Sequence, residues 1–280
     1  MATGIPRQHA GRAQRCVSRR PRFWALMLAP AVVLTPGRGA AQLAVARVEV
    51  VMQPGDMPDA AIGVRNESDK PVQALVRLED WDRASDGANR WYPYGSQAGN
   101  GSCAPALSIF PQSMRLEPGA EQAIRVVLDR DKAPAGECWA AAVVETVQQS
   151  ERAGQRVAWV VRTAVKIYVQ PSGLRAGGEI EGLRVAADGT SHDSTASVVE
   201  VLFSNTGTRH LVTEGALEVR RADNTVVTRV TLPAVYALPG AHHVVRVPMP
   251  KLESGSYVLL ATMDYGGADI AAALLEHRAR

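Results

Sequence analysis

From about residue 43 onward, apolar and polar positions alternate in short β-branched stretches, broken roughly every ten residues by Gly, Pro, Asn, Asp or Ser. Alternation with a period of two marks strands with one buried face, and this spacing of turn signals is that of a β-sandwich. The pattern predicts strands at Leu43–Met52, Ala60–Asn66, Val72–Trp81, Leu107–Leu116, Gln122–Asp129, Cys138–Val147 and Val157–Val169, enough for one sandwich. The run Gln170-Pro-Ser-Gly-Leu-Arg-Ala-Gly-Gly178 then reads as a linker or hinge. A second series follows at Ser197–Asn205, Ala216–Arg220, Val226–Leu232, His243–Val247, Ser256–Thr262 and Ile270–Glu276, with turn signals at Asn205-Thr-Gly207, Ala222-Asp-Asn224, Pro239-Gly240 and Gly266-Gly267. The expected fold is all-β, two sandwiches in tandem. Asp82–Ala106, with Trp91, Tyr92 and Tyr94, is expected to be a long loop inside the first.

Composition agrees with a globular chain: 280 residues, 46% apolar and 21% charged, which excludes collagenous, fibrous and disordered classes. The net charge of +3 belongs to the leader. Residues 1–41 carry seven arginines and no acid, leaving 24 of the 31 basic residues against 28 acidic ones downstream. No basic stripe of the kind that tracks phosphates remains, so nucleic acid is set aside as a partner. The leader has a basic segment to Arg22, an apolar segment from Phe23 to Leu34, and small residues Gly39-Ala40-Ala41, the features of a cleaved signal peptide over 1–41. The alternative is a membrane anchor, but an apolar run interrupted by Pro30 falls short of the ~20 residues a spanning helix needs, so no stable membrane insertion is expected. Ser18-Arg19-Arg20 leaves open whether export is by the general or the twin-arginine route.

Export makes cysteine arithmetic informative. Cys16 leaves with the leader, and the mature chain keeps Cys103 and Cys138 in an oxidising compartment, where a bridge is the expected state. The competing use, a catalytic thiol, needs a histidine, and the mature histidines (His192, His210, His242, His243, His277) all lie far downstream. No HExxH, CxxC, Walker loop, GxGxxG or GxSxG occurs. His242 and His243 are neighbours on an expected strand and point to opposite faces, so they do not make a metal pair. No enzyme activity, metal or cofactor is expected.

The segment Val157-Ala-Trp-Val-Val-Arg-Thr-Ala-Val-Lys-Ile-Tyr-Val-Gln-Pro171 is apolar on its odd positions, yet the first half of its even face is also apolar. A plain final strand of a sandwich would show a mostly polar second face. Together with Ala46-Arg47-Val48 in the first strand, Asn66 before Lys70-Pro71, Val76-Arg77-Leu78 with Trp81, Phe110-Pro111, Arg115-Leu116-Glu117-Pro118-Gly119 and Ile124-Arg125-Val126, it resembles the PapD-like periplasmic chaperones of chaperone–usher pilus assembly. The resemblance covers about Leu43 to Pro171; in the second half only Asp264-Tyr265-Gly266-Gly267 matches a family motif.

The resemblance implies two immunoglobulin-like sandwiches after the signal peptide: an N-terminal domain over 42–171, a linker over 172–182 and a C-terminal domain over 183–280. It implies a periplasmic chaperone that lends its last N-domain strand to pilin-type subunits lacking one of their own, and passes them to an outer-membrane usher. By position the donor residues are Val157, Trp159 and Val161, and the cations that grip the subunit's terminal carboxylate are Arg47 and Lys166. Lysine is scarce here, occurring only at 70, 132, 166 and 251. Where many family members carry Ile-Pro-Pro this chain has Val147-Gln148-Gln149, and the connection Gln148–Arg156 is short. Two other readings stand beside this one: an exported structural or adhesive module that keeps its own strands, and a carbohydrate-active protein using Trp91, Tyr92 and Tyr94 as an aromatic platform.

Overall fold

In the computed structural model, residues 43–55, 59–152, 155–187 and 197–279 are described. The leader expected at 1–41, with Cys16, lies outside them. The N-terminal strands are β1 (Leu43–Val45), β2 (Glu49–Met52), β3 (Asp59–Asn66), β4 (Val72–Arg83), β5 (Asn89–Tyr92), β6 (Leu107–Phe110), β7 (Ser113–Leu116), β8 (Glu121–Leu128), β9 (Cys138–Arg152) and β10 (Gln155–Val169). One sheet has the order β1-β3-β8-β6, the other β2-β10-β9-β4-β5 with β7 also on β4. Between them Ile62, Val64, Ile124 and Val126 meet Ala74, Val76, Val144, Val165 and Ile167 in a buried core. The inward set is every second residue of each strand, as the pleat requires.

Two segments expected as single strands are each split between the sheets. Leu43–Met52 bends at 46–48, so that β1 pairs antiparallel with β3 while β2 runs parallel to β10. Alternation continues on both sides of the bend, which is why the sequence pattern does not reveal it. Leu107–Leu116 breaks at Pro111, which has no N–H for a ladder; β6 stays with β8 and β7 crosses to β4. The expected loop Asp82–Ala106 contains β5, folded back on the end of β4 from Asp80↔Tyr92 to Arg83↔Asn89. The buried Asp80 carboxylate ties down the rest of that segment, accepting from Ser102 Oγ at 2.6 Å and Gln97 N at 2.7 Å.

Cys103 and Cys138, expected as a bridged pair, lie side by side and fully buried in the core. A hydrogen bond with Cys138 and burial both push the Cys103 thiol up.

The C-terminal sandwich is built from β11 (Gly178–Ala187), β12 (Ser197–Asn205), β13 (Leu211–Val212), β14 (Glu214–Arg221), β15 (Val226–Leu232), β16 (Tyr236–Ala237), β17 (His242–Pro248), β18 (Gly255–Asp264) and β19 (Ile270–Ala279). The sheet β11-β12-β17 faces the sheet β15-β14-β18-β19 over Val199, Val201, Phe203, Leu217, Leu259 and Met263. The architecture is two immunoglobulin-like sandwiches, as expected. His243 is buried and His242 exposed, as neighbours on a strand must be. β11 opens at Gly178, inside the stretch 172–182 expected as linker. A side chain at Gly178 would strike Phe203 and Tyr265, so the strand can start there only because glycine lets the backbone approach. The shortened connection is itself anchored: Gly177 O accepts from Thr206 N at 2.9 Å and Arg175 O from Thr208 N at 2.8 Å.

Gly101 combines a left-handed φ of +84° with a Cα packed against the Trp139 ring, into which any Cβ would run. Gly119 has a similar φ of +74° but open space around it. Gly101→Ala is expected to cost about 2–3 kcal/mol and Gly119→Ala about 1 kcal/mol in urea unfolding. Equal losses would show that the Trp139 contact contributes nothing.

Candidate functional site

β10 changes its surroundings along its length. From Lys166 to Val169 it is flanked on both sides, by β9 and by the parallel β2 in the register Lys166↔Glu49 to Val169↔Met52. From Gln155 to Val165 it pairs with β9 alone, and among the described residues no strand covers its other edge. Eleven residues at about 3.3 Å each make an unpaired edge of roughly 35 Å. The odd-numbered face that buries Val165, Ile167 and Val169 in the core carries on past the sandwich, so that Val157 is 48% and Trp159 42% exposed and Val161 is half-buried. On the opposite face of the hairpin Val160 and its partner Val147 are also exposed, at 54% and 57%. The segment Gln148–Arg156, expected as a connection, is mostly paired hairpin, from Trp159↔Gln148 to Gln155↔Arg152.

The even-numbered face of β10 behaves differently at its foot. There Tyr168, with Trp139, Ala141 and Val143 of β9, packs on Trp81 of β4 and on Leu238 from the second sandwich. This packing accounts for the apolar even positions at the foot, while Ala158 and Val160, in the first half of the strand, lie exposed on the free hairpin. Trp81 is locked in place: its Nε1 donates to Ala140 O at 3.0 Å, and Trp139 Nε1 donates back to Trp81 O at 2.8 Å. Lys166 Nζ lies 4.8 Å from the Trp81 ring centroid, a cation–π contact. Burial, and then the nearby charge of Arg83, hold the Lys166 ammonium below the usual lysine range, while Glu49 acts the other way.

Lys166 lines a crevice of about 350 Å³ with Val48, Glu49, Glu79, Trp91 and Arg162. Its backbone N donates to Val48 O at 3.0 Å. Arg47, the other cation singled out by sequence, precedes Val48 on the bend and is exposed; it is not among the residues lining the crevice. Arg162 is already engaged with Glu79 and lies 3.6 Å from Glu145, so it is a structural cation.

Beside the crevice the two sandwiches are fastened together. The carboxylate of Glu137, fully shielded from water, takes hydrogen bonds from His210 N, from Gln170 Nε2 at 2.8 Å and at His210 Nδ1 at 2.6 Å. The His210 ring stacks on Tyr168 with centroids 4.0 Å apart, and Val244 N donates to Ser85 O at 2.9 Å. Arg83 crosses the same boundary, 5.8 Å from the Trp81 ring centroid and 5.2 Å from that of Tyr236. Sequence reasoning missed Glu137, His210 and Arg83, since nothing local marks a residue whose partner sits 73 positions away, as His210 does from Glu137. Trp91 and Tyr94 are exposed and Tyr92 half-buried, with Trp91 tilted at 36° against Trp81. No group of His, Cys, Asp and Glu suited to a metal ion gathers among the described residues.

Residues 42–175 match the family model described as "Pili and flagellar-assembly chaperone, PapD N-terminal domain". The N-terminal sandwich is that domain and belongs to the PapD-like chaperone family. Solved structures with a similar arrangement include the YadV chaperone (16% identity, 84% of this chain and 100% of that one, TM-score 0.46) and the Pseudomonas aeruginosa CupB2 chaperone (14%, 85% and 100%, 0.43). A chaperone–tip subunit complex, CsuC–CsuE of Acinetobacter baumannii, also matches (9%, 84% and 98%, 0.46). No curated protein sequence matches the chain.

Replacing Glu137 by Gln puts an amide N–H₂ where only acceptors are wanted. Glu137→Gln is expected to lower stability by roughly 1–3 kcal/mol and to speed proteolysis at 170–178. Unchanged cleavage and an unchanged unfolding temperature would count against the fastening role.

Proposed function

We propose that this chain is a periplasmic chaperone that holds fibre subunits by lending them the free length of β10 and hands them to an outer-membrane usher. The observation that carries this reading is the edge from Gln155 to Val165, unpaired and with exposed apolar side chains at Val157 and Trp159. A resident structural module would blunt such an edge with charge, proline or a covering loop. A subunit with an empty strand position supplies the missing ladder, and Val157, Trp159 and Val161 enter its groove. Each contributes about 1.5–3 kcal/mol by burial before the costs of association. Lys166, in its crevice at the foot of the edge, takes the subunit's terminal carboxylate, and Arg47 one residue from Val48 adds a second, rim-side charge. Fixing the chain end also fixes register, because a slip of one residue would turn every inserted side chain to the wrong face.

The test is co-expression with a fibre subunit that lacks its final strand. Because Val157 and Trp159 are exposed, the double variant Val157→Ser, Trp159→Ser is expected to keep its unfolding temperature yet lose at least about tenfold in subunit recovered. Lys166→Ala is expected to act in the same direction. Full recovery with both variants would overturn the reading.

In an oxidising compartment the adjacent Cys103 and Cys138 close into a bridge, worth roughly 3–5 kcal/mol on the loop-closure account. Thiol titration of the exported protein in denaturant is expected to find no free thiol. Two would show that the pair stays reduced.

A further inference from the structure

We propose that Arg83 is a further cation of the carboxylate site, so that a client's chain end is held beside the Trp81 ring by Lys166 of β10 and Arg83 of β4 together. This rests on the carboxylate-anchor reading above and adds to it a residue that the family resemblance does not supply.

Three observations meet here. First, Lys166 and Arg83 lie within 6 Å of the same ring centroid, at 4.8 and 5.8 Å. Second, neither makes an ion pair among the described residues, although Arg77 and Arg162 on the same face of the sheet are each matched to a carboxylate, Arg77 at 2.9 Å from Glu79 and Arg162 also on Glu79. Third, Arg83 Nε is buried with no hydrogen-bond partner, while Arg83 NH1 donates to Gly87 O at 3.0 Å. A guanidinium cannot shed its proton to relieve that burial. Two like charges close together, one with an idle N–H, are stabilised by an anion between them, and a carboxylate offers two acceptors for the task.

The arrangement is held ready. Trp81 is fixed by its bond to Ala140 O, and Arg83 is braced from the other sandwich by Tyr236. Behind Arg83 a cavity of about 410 Å³ is bounded by His243, which is buried, has an unpartnered Nε2, and is kept below the usual histidine range by burial and by Arg83 itself. The second sandwich thus adds a hydrogen-bonding group next to Arg83, and an occupant bound there would report on both domains at once.

The experiment follows the arginine Nε–H signals of the mature protein by NMR during titration with N-acetylglycine, a minimal chain end, and with N-acetylglycinamide, its uncharged counterpart. The acid is expected to shift the Arg83 signal saturably and the amide not at all. Arg83→Gln and Lys166→Gln are each expected to weaken the acid at least about tenfold, with Arg83→Lys intermediate. Loss of binding in Lys166→Gln with full binding in Arg83→Gln would overturn the role of Arg83 and leave the anchor reading standing. Absence of any acid-dependent, saturable shift in the unsubstituted protein would overturn both. Should Arg83→Gln fail to fold, the Arg83 signal of the unsubstituted protein and the Arg83→Lys variant decide the matter.

Discussion

The single constraint on which the rest of the molecule depends is the division of β10 between two environments. Its last four residues are locked in a ladder on both sides, against β9 and the parallel β2, and their side chains fill both the sandwich core and the packing against Trp81. Its first eleven have a neighbour on one side only. β9 remains on β4 up to Ala74↔Thr146, so only the tip beyond Val161↔Thr146 is a bare two-stranded ribbon; such a ribbon is marginal in water and is held by the cooperative anchorage of its base. The reciprocal indole bonds of Trp81 and Trp139 belong to that anchorage, since they tie β4 to β9 at the foot of β10, opposite Tyr168.

The same base is where the second sandwich is fastened. Glu137, His210 and Gln170 form a buried polar knot beside a stack of Tyr168 and His210, and the linker between domains is pinned by backbone bonds to residues 206–208. A buried carboxylate depends on its hydrogen-bond donors, so losing any one of these contacts weakens the whole knot. The angle between the sandwiches is in this way set by the free protein. Whatever binds at the crevice meets preformed walls and loses little in ordering them.

Much of this was legible in the chain. Alternation located most strands because it reports the pleat directly, and the apolar even positions at Ala158 and Val160 were a true sign that β10 is no ordinary last strand. What the pattern could not show was where a strand changes sheets. Across Ala46-Arg47-Val48 nothing in composition interrupts the alternation; the bend is imposed by the partners on either side. Similarly, Lys166 stood out because lysine is rare here, whereas Arg83 is one arginine among many and acquires meaning only through Trp81 and Tyr236 on different elements. The family resemblance places Arg47 and Lys166 together by position; Lys166 lines the crevice, and Arg47 lies exposed on the bend, next in the chain to Val48. The long loop before β6 hid a hairpin because Asn89–Tyr92 is too short a run to declare itself.

β2 occupies the edge of β10 from Lys166 onward, so a visiting strand that adds to the free length has nowhere to continue past that point. On the strand-lending reading proposed above, a polypeptide that finishes there fits without buckling, and β2 would act as a buffer stop favouring molecules that present a terminus over internal segments.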